Sequence, residues 1–571
     1  MSRTLLGVLA GTALSVALVG CLSSDSAGGG TGGAAGGETG GSGGATGGSG
    51  GATGGSGGAT GGSGGATGGS GGATGGSGGS TGGTGGGVSA GDPEILSQGA
   101  TTRYLLKGVV VTPDTYFTGE VLTESNVITC VAASCSGEAG AQGATVIDTH
   151  GMIFPGMIDT HNHILYDVFD ETDWAPKKLY ENHNQWTQEP EYGAMQDCLD
   201  YLLATVTATP PGADLSCEIL KYGEIKGLLV GTTSVLGEPK GSPRKCYASL
   251  ARSIDGSSSD LPDSQRTGPC LDPPGATFNQ ATPSNDHIQV STLGVDSVDE
   301  VAALKNFNDC KTWAYVVHVG EGLQSSTTAY NEWNKVKTKA LDVKQLTIIH
   351  GTSLQQADFQ HMAERGMKLV WSPKSNMFLY GATTRVDLAR QTTPRLVISL
   401  GPDWSLGGSV NLLDELGFAH ALDLQQWGGV LPTKDLVAMV TIDAARVLET
   451  QDQIGSIEVG KLADLMVVSG DVNAPYDALV SAKSAAIRLV MVNGAVLTGD
   501  TYLSPAASLS ECETIDVCGH SRFLCVKEQA TTDKLNQTYA QIQSIIGGAI
   551  QTYDTAKGTL FSPIAPPIKC Q

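Results

Sequence analysis

A formal charge of −23 over 571 residues argues against nucleic acid as a partner, because phosphate binding needs a basic face. The 79 glycines exclude one continuous fold, since most of their excess lies before residue 90. From about Asp92 onward the chain is long enough for a large core and a smaller domain beside it.

The chain opens with Arg3 and an apolar run, Leu5 to Val19, which is short for a membrane span. The run ends in Leu18-Val19-Gly20-Cys21, which resembles a bacterial lipobox. That resemblance implies a signal peptide over 1–20 and a lipidated Cys21. The protein would then be extracytoplasmic, anchored to a bacterial membrane in the periplasm or at the cell surface. Residues 21–92 read as a tether, with Gly-Gly-Ala-Thr-Gly-Gly-Ser repeats between Gly43 and Ser77 that bury no apolar surface. Cys130, Cys135, Cys198, Cys217, Cys246, Cys270, Cys310, Cys512, Cys518, Cys525 and Cys570 lack a C-x-x-C spacing, so disulfides are expected rather than a zinc cluster. Their number is odd, which leaves at least one free. Cys130 with Cys135 and Cys246 with Cys270 are candidate local pairs.

Short β-type runs follow at Tyr104–Val111, Asn126–Val131 and Ala144–Asp148, and a matching set recurs at Ala463–Val468 and Ile487–Leu497. Residues 93–150 and 454–502 are therefore expected to form a small composite β-sandwich. The segment between them, 151–453, alternates strand-like runs with helical patterns such as Ser353–Gly366 and Val410–Leu422. Candidate strands end at His163, Val235, Leu293, Gly320, His350, Ser372 and Asp403. This rhythm predicts an α/β fold with a (β/α)8 TIM-like barrel. Residues 503–571 read as a cysteine-containing extension with a helix-like run over Lys534–Thr552.

Histidines and an aspartate stand at the ends of four of these runs. In Phe154-Pro155-Gly156-Met157-Ile158-Asp159-Thr160-His161-Asn162-His163, strand alternation turns His161 and His163 the same way. Ala314–Val317 leads to His318, with Glu321 three residues on; Leu346–Ile349 leads to His350; Leu396–Leu400 leads to Asp403. A single histidine after an apolar run is more often a hydrogen-bonded core residue than a ligand. Parallel barrel strands, however, deliver their C-terminal ends to one face. Three imidazoles and a carboxylate gathered there suit Zn²⁺, with Fe²⁺ as the alternative. His150, His183, His287, His361, His420 and His520 lack this placement.

These motifs, with Gly231-Thr232-Thr233-Ser234, Ser372-Pro373-Lys374-Ser375-Asn376 and Gly455–Asp464, resemble the amidohydrolase superfamily. The branch is that of cytosine and guanine deaminases and triazine hydrolases. The resemblance spans roughly 101–500. It implies one ion held by His161, His163, His318 and Asp403, with His350 donating a hydrogen bond to the water or substrate. Such an ion lowers the pKa of a bound water from about 15.7 toward roughly 7. Asp403 takes that water's proton, His350 steadies the developing charge and Glu321 protonates a ring nitrogen or the leaving amine. The implied reaction is hydrolysis of a non-peptide carbon–nitrogen bond, deamination of a small heterocycle. The fourth strand, near Ile288–Leu293, offers no metal-bridging Lys or Glu, which argues against two ions. Two alternatives stay open: a two-metal amidase or dipeptidase of the same superfamily, and a non-catalytic surface binding protein. Pro402 before Asp403 and Trp404 after it depart from the branch's pattern and unsettle the substrate pocket. Gly237–Asp286 is a long insertion placed to cover the site. The substrate is a small molecule; the oligomeric state is not readable.

Overall fold

The computed structural model describes residues 91–205, 210–237, 250–254, 261, 288–291, 294–309, 311–527 and 536–570. The leader with Cys21, the Gly-rich tether, Leu293, and Cys246, Cys270 and Cys310 lie outside these residues, as does most of the 237–286 insertion.

Strands from both flanks of the chain join one ten-stranded sheet. The two flanks meet where Leu465–Val468 runs antiparallel to the end of Ala144–Pro155, with Leu465 opposite Pro155 and Val468 opposite Met152. The period-2 alternation of strands explains why these runs are apolar at every position. Met152, Phe154, Met466, Val468, Val490 and Val492 face the large core shared with the middle of the chain. Ile153, Leu465, Val467, Leu489 and Met491 face a second core, with Tyr104, Leu106 and Ile147. The sandwich expected from these flanks is replaced by a single sheet buried on both faces, one of them against the barrel segment. Asp464, the last residue of the Gly455–Asp464 motif, is a structural joint. Its carboxylate pairs with the buried Arg252 guanidinium and accepts from the Asn493 N–H at 2.7 Å, and its carbonyl accepts from the Gly156 N–H at 2.9 Å.

Among the described residues, the middle of the chain supplies eight short strands: β1 (Met157–Asp159), β2 (Thr232–Val235), β3 (Arg252–Ser253), β4 (Ile288–Ser291), β5 (Ala314–Val319), β6 (Leu346–His350), β7 (Lys368–Trp371) and β8 (Val397–Leu400). All ladders between them are parallel, and they form two sheets, β1-β2-β3 and β8-β7-β6-β5-β4. Each strand sends a residue, its own or the next along, to one inner cluster. Ile158, Leu236, Ile254, Ile288, Val316, Ile349, Val370 and the partly buried Val397 meet there. Alternate positions such as Val317, Ile348 and Leu369 face the outer core instead. The closed barrel expected from the sequence is not seen in these ladders, because β1 and β3 are too short to pair far along their edges. A single bridge, Asn162 to Asp403, links the ends of β1 and β8. No ladder joins β3 to β4 among the described residues.

The C-terminal extension completes the sheet edge with Glu513–Val517 and His520–Leu524, then folds back as a helix, Tyr539–Lys557. That helix starts later than the sequence run at Lys534, at a capping box between Thr538 and Gln541. It buries Ile542, Ile546 and Ile550, spaced one turn apart. Disulfides join Cys130 to Cys135, Cys512 to Cys525 and Cys518 to Cys570; Cys217 is also disulfide-bonded. Cys198 is free and buried. No helix among the described residues is long and apolar enough to cross a membrane.

Candidate active site

The ends of β1, β5 and β8 converge. His161, His163, His318 and Asp403 each offer one ligand atom, and these atoms all lie within 4.8 Å of one another. His161 Nε2 is 2.9 Å and His163 Nε2 3.4 Å from Asp403 Oδ1. The two histidines do not reach the site by strand alternation, because β1 ends at Asp159. The segment after it is held by other bonds. The buried Asp159 carboxylate accepts from the His161 N–H at 3.1 Å and from Asn162 Nδ2 at 3.0 Å. The Asp403 backbone accepts from the His163 N–H at 2.6 Å and donates to the His161 carbonyl at 3.0 Å.

The donor set fits a divalent cation of the zinc type. His318 Nδ1 lies 3.1 Å from the Ser291 carbonyl and donates to it, which leaves the Nε2 lone pair facing the cluster. Burial, with the neighbouring His161 adding to it, pushes the His163 imidazole down to about 4. Burial likewise holds His318 well below its usual value. Both rings are therefore neutral, the form that binds metal. Burial would raise the Asp403 carboxyl, but the hydrogen bond and charge of His161 outweigh it and hold the group well below the carboxylate range. Neutral imidazoles beside an ionised carboxylate are what Zn²⁺ takes as ligands.

His350 and Glu321 stand beside this cluster. His350 Nε2 is fully buried, 3.8 Å from Glu321 Oε2 and 4.0 Å from Asp403 Oδ2. Alternation along β6 would send His350 outward with Ile348. A φ of +66° at His350 turns the chain there, and Asp403 has a φ of +70°. Non-glycine residues rarely adopt this backbone, and it costs on the order of 1–3 kcal/mol at each position. Here it accompanies the two side chains that meet at the cluster, His350 Nε2 and Asp403 Oδ2.

Glu321 is clamped from two sides. Its Oε1 accepts from the Tyr380 hydroxyl at 2.6 Å, and its Oε2 is 3.4 Å from His183 Nδ1. His183 Nε2 in turn lies 3.0 Å from Glu332 Oε1, and Glu332 Oε2 accepts from the Gly320 N–H. Burial would raise the Glu321 carboxyl, but the imidazoles of His350 and His183 bring it down to about 2. Burial would lower His183, but its bonds to Glu321 and Glu332 lift it to about 11. His183 had no strand-end signal in the sequence, because it enters from the one-turn helix His183–Trp186, 138 positions before Glu321 in the chain (321 − 183). Tyr380 was equally hidden, whereas Trp404 stood out in the sequence beside Asp403. The Trp404 ring packs near His163, Tyr166 and Trp186 at centroid distances of 6.1, 5.6 and 5.3 Å.

The His183 clamp carries a pH signature. Its folded-state pKa is above the usual 6.5, so the stabilisation is complete below that pH and fades as pH rises toward 11. Thermal melts of the wild type and His183→Gln are expected to differ most near pH 6 and to draw together by about pH 10. A gap that widened with pH would contradict the clamp.

Residues 287–497 match the family model described as the amidohydrolase family. A 5-methylthioadenosine/S-adenosylhomocysteine deaminase from Thermococcus onnurineus is 25% identical over 419 residues, 67% of this chain and 90% of that protein. A 5′-deoxyadenosine deaminase from Methanothermobacter thermautotrophicus is 25% identical over 440 residues, 72% of this chain and 93% of that protein. Among solved structures, an adenosine deaminase from Xanthomonas campestris with bound zinc shares the fold with a TM-score of 0.53 at 17% identity, covering 80% of this chain and 98% of its own. A guanine deaminase from Bradyrhizobium japonicum does so with a TM-score of 0.53 at 15% identity, covering 69% and 99%. The family match is confined to residues 287–497, and with the deaminase relatives it supports a hydrolase acting on carbon–nitrogen bonds.

Proposed function

We propose that the protein is a metal-dependent deaminase that removes ammonia from a small heterocycle, an aminopurine-type ring by analogy with its relatives. The observation that carries this reading is the convergence of His161, His163, His318 and Asp403 within 4.8 Å. Those four residues would hold one divalent cation, Zn²⁺ or Fe²⁺. A cation there supplies Lewis-acid activation of water.

The rest of the chemistry falls to the chain. Asp403, ionised and beside the cluster, accepts the proton of the attacking water. Glu321 relays a proton to the ring nitrogen or the leaving amine, and Tyr380 and His183 fix its two oxygens. His350 Nε2 faces both carboxylates and steadies negative charge developing between them. Trp186 and Trp404 are buried beside the site and exclude bulk water from it.

We further propose that Cys21 is lipidated and the protein extracytoplasmic. The lipobox supports this, and so do the disulfides, which persist in oxidising compartments.

Metal analysis of the full-length protein, with an ammonia-release screen over aminopurines, pyrimidines, triazines and simple amides, tests the reading. One ion per chain is expected, with activity lost to a chelator and restored by zinc. Two ions per chain, or ammonia release unaffected by the chelator, would overturn it. Palmitate labelling of the same protein should vanish in Cys21→Ser; labelling that persisted would remove the anchor.

A further inference from the structure

We propose that Asn376 sets the tautomer of His350 and thereby makes Nε2 a hydrogen-bond donor toward the reacting atoms; this rests on the deaminase reading above. Asn376 is fully buried, and its amide reaches the His350 ring. It sits in the helix Pro373–Tyr380 that follows β7. Its Nδ2 lies 3.0 Å from His350 Nδ1.

The far end of the chain of hydrogen bonds orients the carboxamide. The Trp371 indole N–H donates to Thr383 Oγ1 at 2.8 Å. The Thr383 hydroxyl proton is thereby free for Asn376 Oδ1 at 3.4 Å. Thr384 Oγ1 donates to the His350 carbonyl at 2.5 Å, so its proton is already used. Turning the amide over would leave the Thr383 proton without its Oδ1 acceptor. Asn376 therefore donates to Nδ1, Nδ1 accepts, and the ring proton resides on Nε2.

That buried Nε2–H has no hydrogen-bond partner among the described residues. It points between Glu321 and Asp403, at distances too long for a hydrogen bond to either. Buried donors are normally paired, and an unpaired one at a reaction centre is a donor reserved for a substrate or water atom. The same short segment also holds the backbone of His350 in its positive-φ turn, through the Thr384 hydroxyl. Asn376 is a positioning residue, acting through the imidazole rather than on the substrate.

The test uses full-length protein labelled with ¹⁵N-histidine. Long-range ¹H–¹⁵N correlation spectra read the tautomer, with His350→Gln assigning the signal. The wild type is expected to show the proton on Nε2. Asn376→Asp presents an acceptor in the same volume and should move the proton to Nδ1. It should lower kcat about 100-fold or more, with KM within a few-fold and metal content unchanged. Thr383→Val, which removes the amide's anchor together with the acceptor of the Trp371 indole, should show both tautomers. A wild-type proton on Nδ1 would overturn the proposal, as would an unchanged pattern in Asn376→Asp. Should Asn376→Asp not fold, a purely wild-type spectrum in Thr383→Val would do so instead. If no compound in the screen is hydrolysed, the deaminase reading fails while the spectra still decide the tautomer.

Discussion

Asp403→Ala is expected to lower turnover by at least about 10³-fold and to strip most of the bound metal. The carboxylate does two things at once. It contributes an anionic oxygen to the cluster and stands ready to take a proton from water. Its partners show why nothing else replaces it. Both His161 and His163 direct a ring nitrogen at the same Oδ1. Removing it leaves three neutral or protonated imidazoles facing one another with no counter-charge. The fold should survive, because the backbone bonds of residue 403 to His161 and His163 do not involve the side chain. Asp403→Asn keeps the volume and separates the two roles. It should retain more metal than the alanine variant but little activity. Metal content by mass spectrometry, measured with kcat/KM on any substrate found, checks both. Full turnover in Asp403→Ala would show that the site is elsewhere.

Glu321→Gln is expected to lower kcat by about 10²- to 10⁴-fold, the range for losing a positioned proton carrier, while metal content and KM change little. The side chain is buried and touches none of the four metal-type ligands through a hydrogen bond, so its loss should not empty the site. Glutamine still accepts from Tyr380 at Oε1, and His183 keeps its bond to Glu332. The amide cannot carry a proton between water and substrate. Single-turnover kinetics would show the defect in the chemical step rather than in product release. A variant with wild-type kcat would reduce Glu321 to a structural partner of His183.

The contrast between Glu321 and His183 shows how far a sequence reading reaches. Glu321 was legible because it follows a strand-end histidine at a fixed spacing, and local chain geometry carries it to the same rim. His183 was not, because it begins a one-turn helix that a bridge from Asn182 to the distant Gly322 brings to the site. Asn376 lies between these cases. The Ser375-Asn376 pair stood out in the sequence, but only coordinates show its amide buried against a ring that is 26 residues earlier in the chain.

What the sequence determined by itself is the local part: the apolar runs, the residue types at their ends and the α/β alternation they imply. These follow from hydrophobic periodicity, which acts over a few residues. The tertiary structure alone decided how the four clustered side chains meet, since Asp403 is 242 positions from His161. It also decided the geometry at His350 and Asp403, where φ is positive. Strand alternation predicts the opposite face for His350. Only packing that over-determines a strained backbone can hold such a turn, and that packing comes from distant segments.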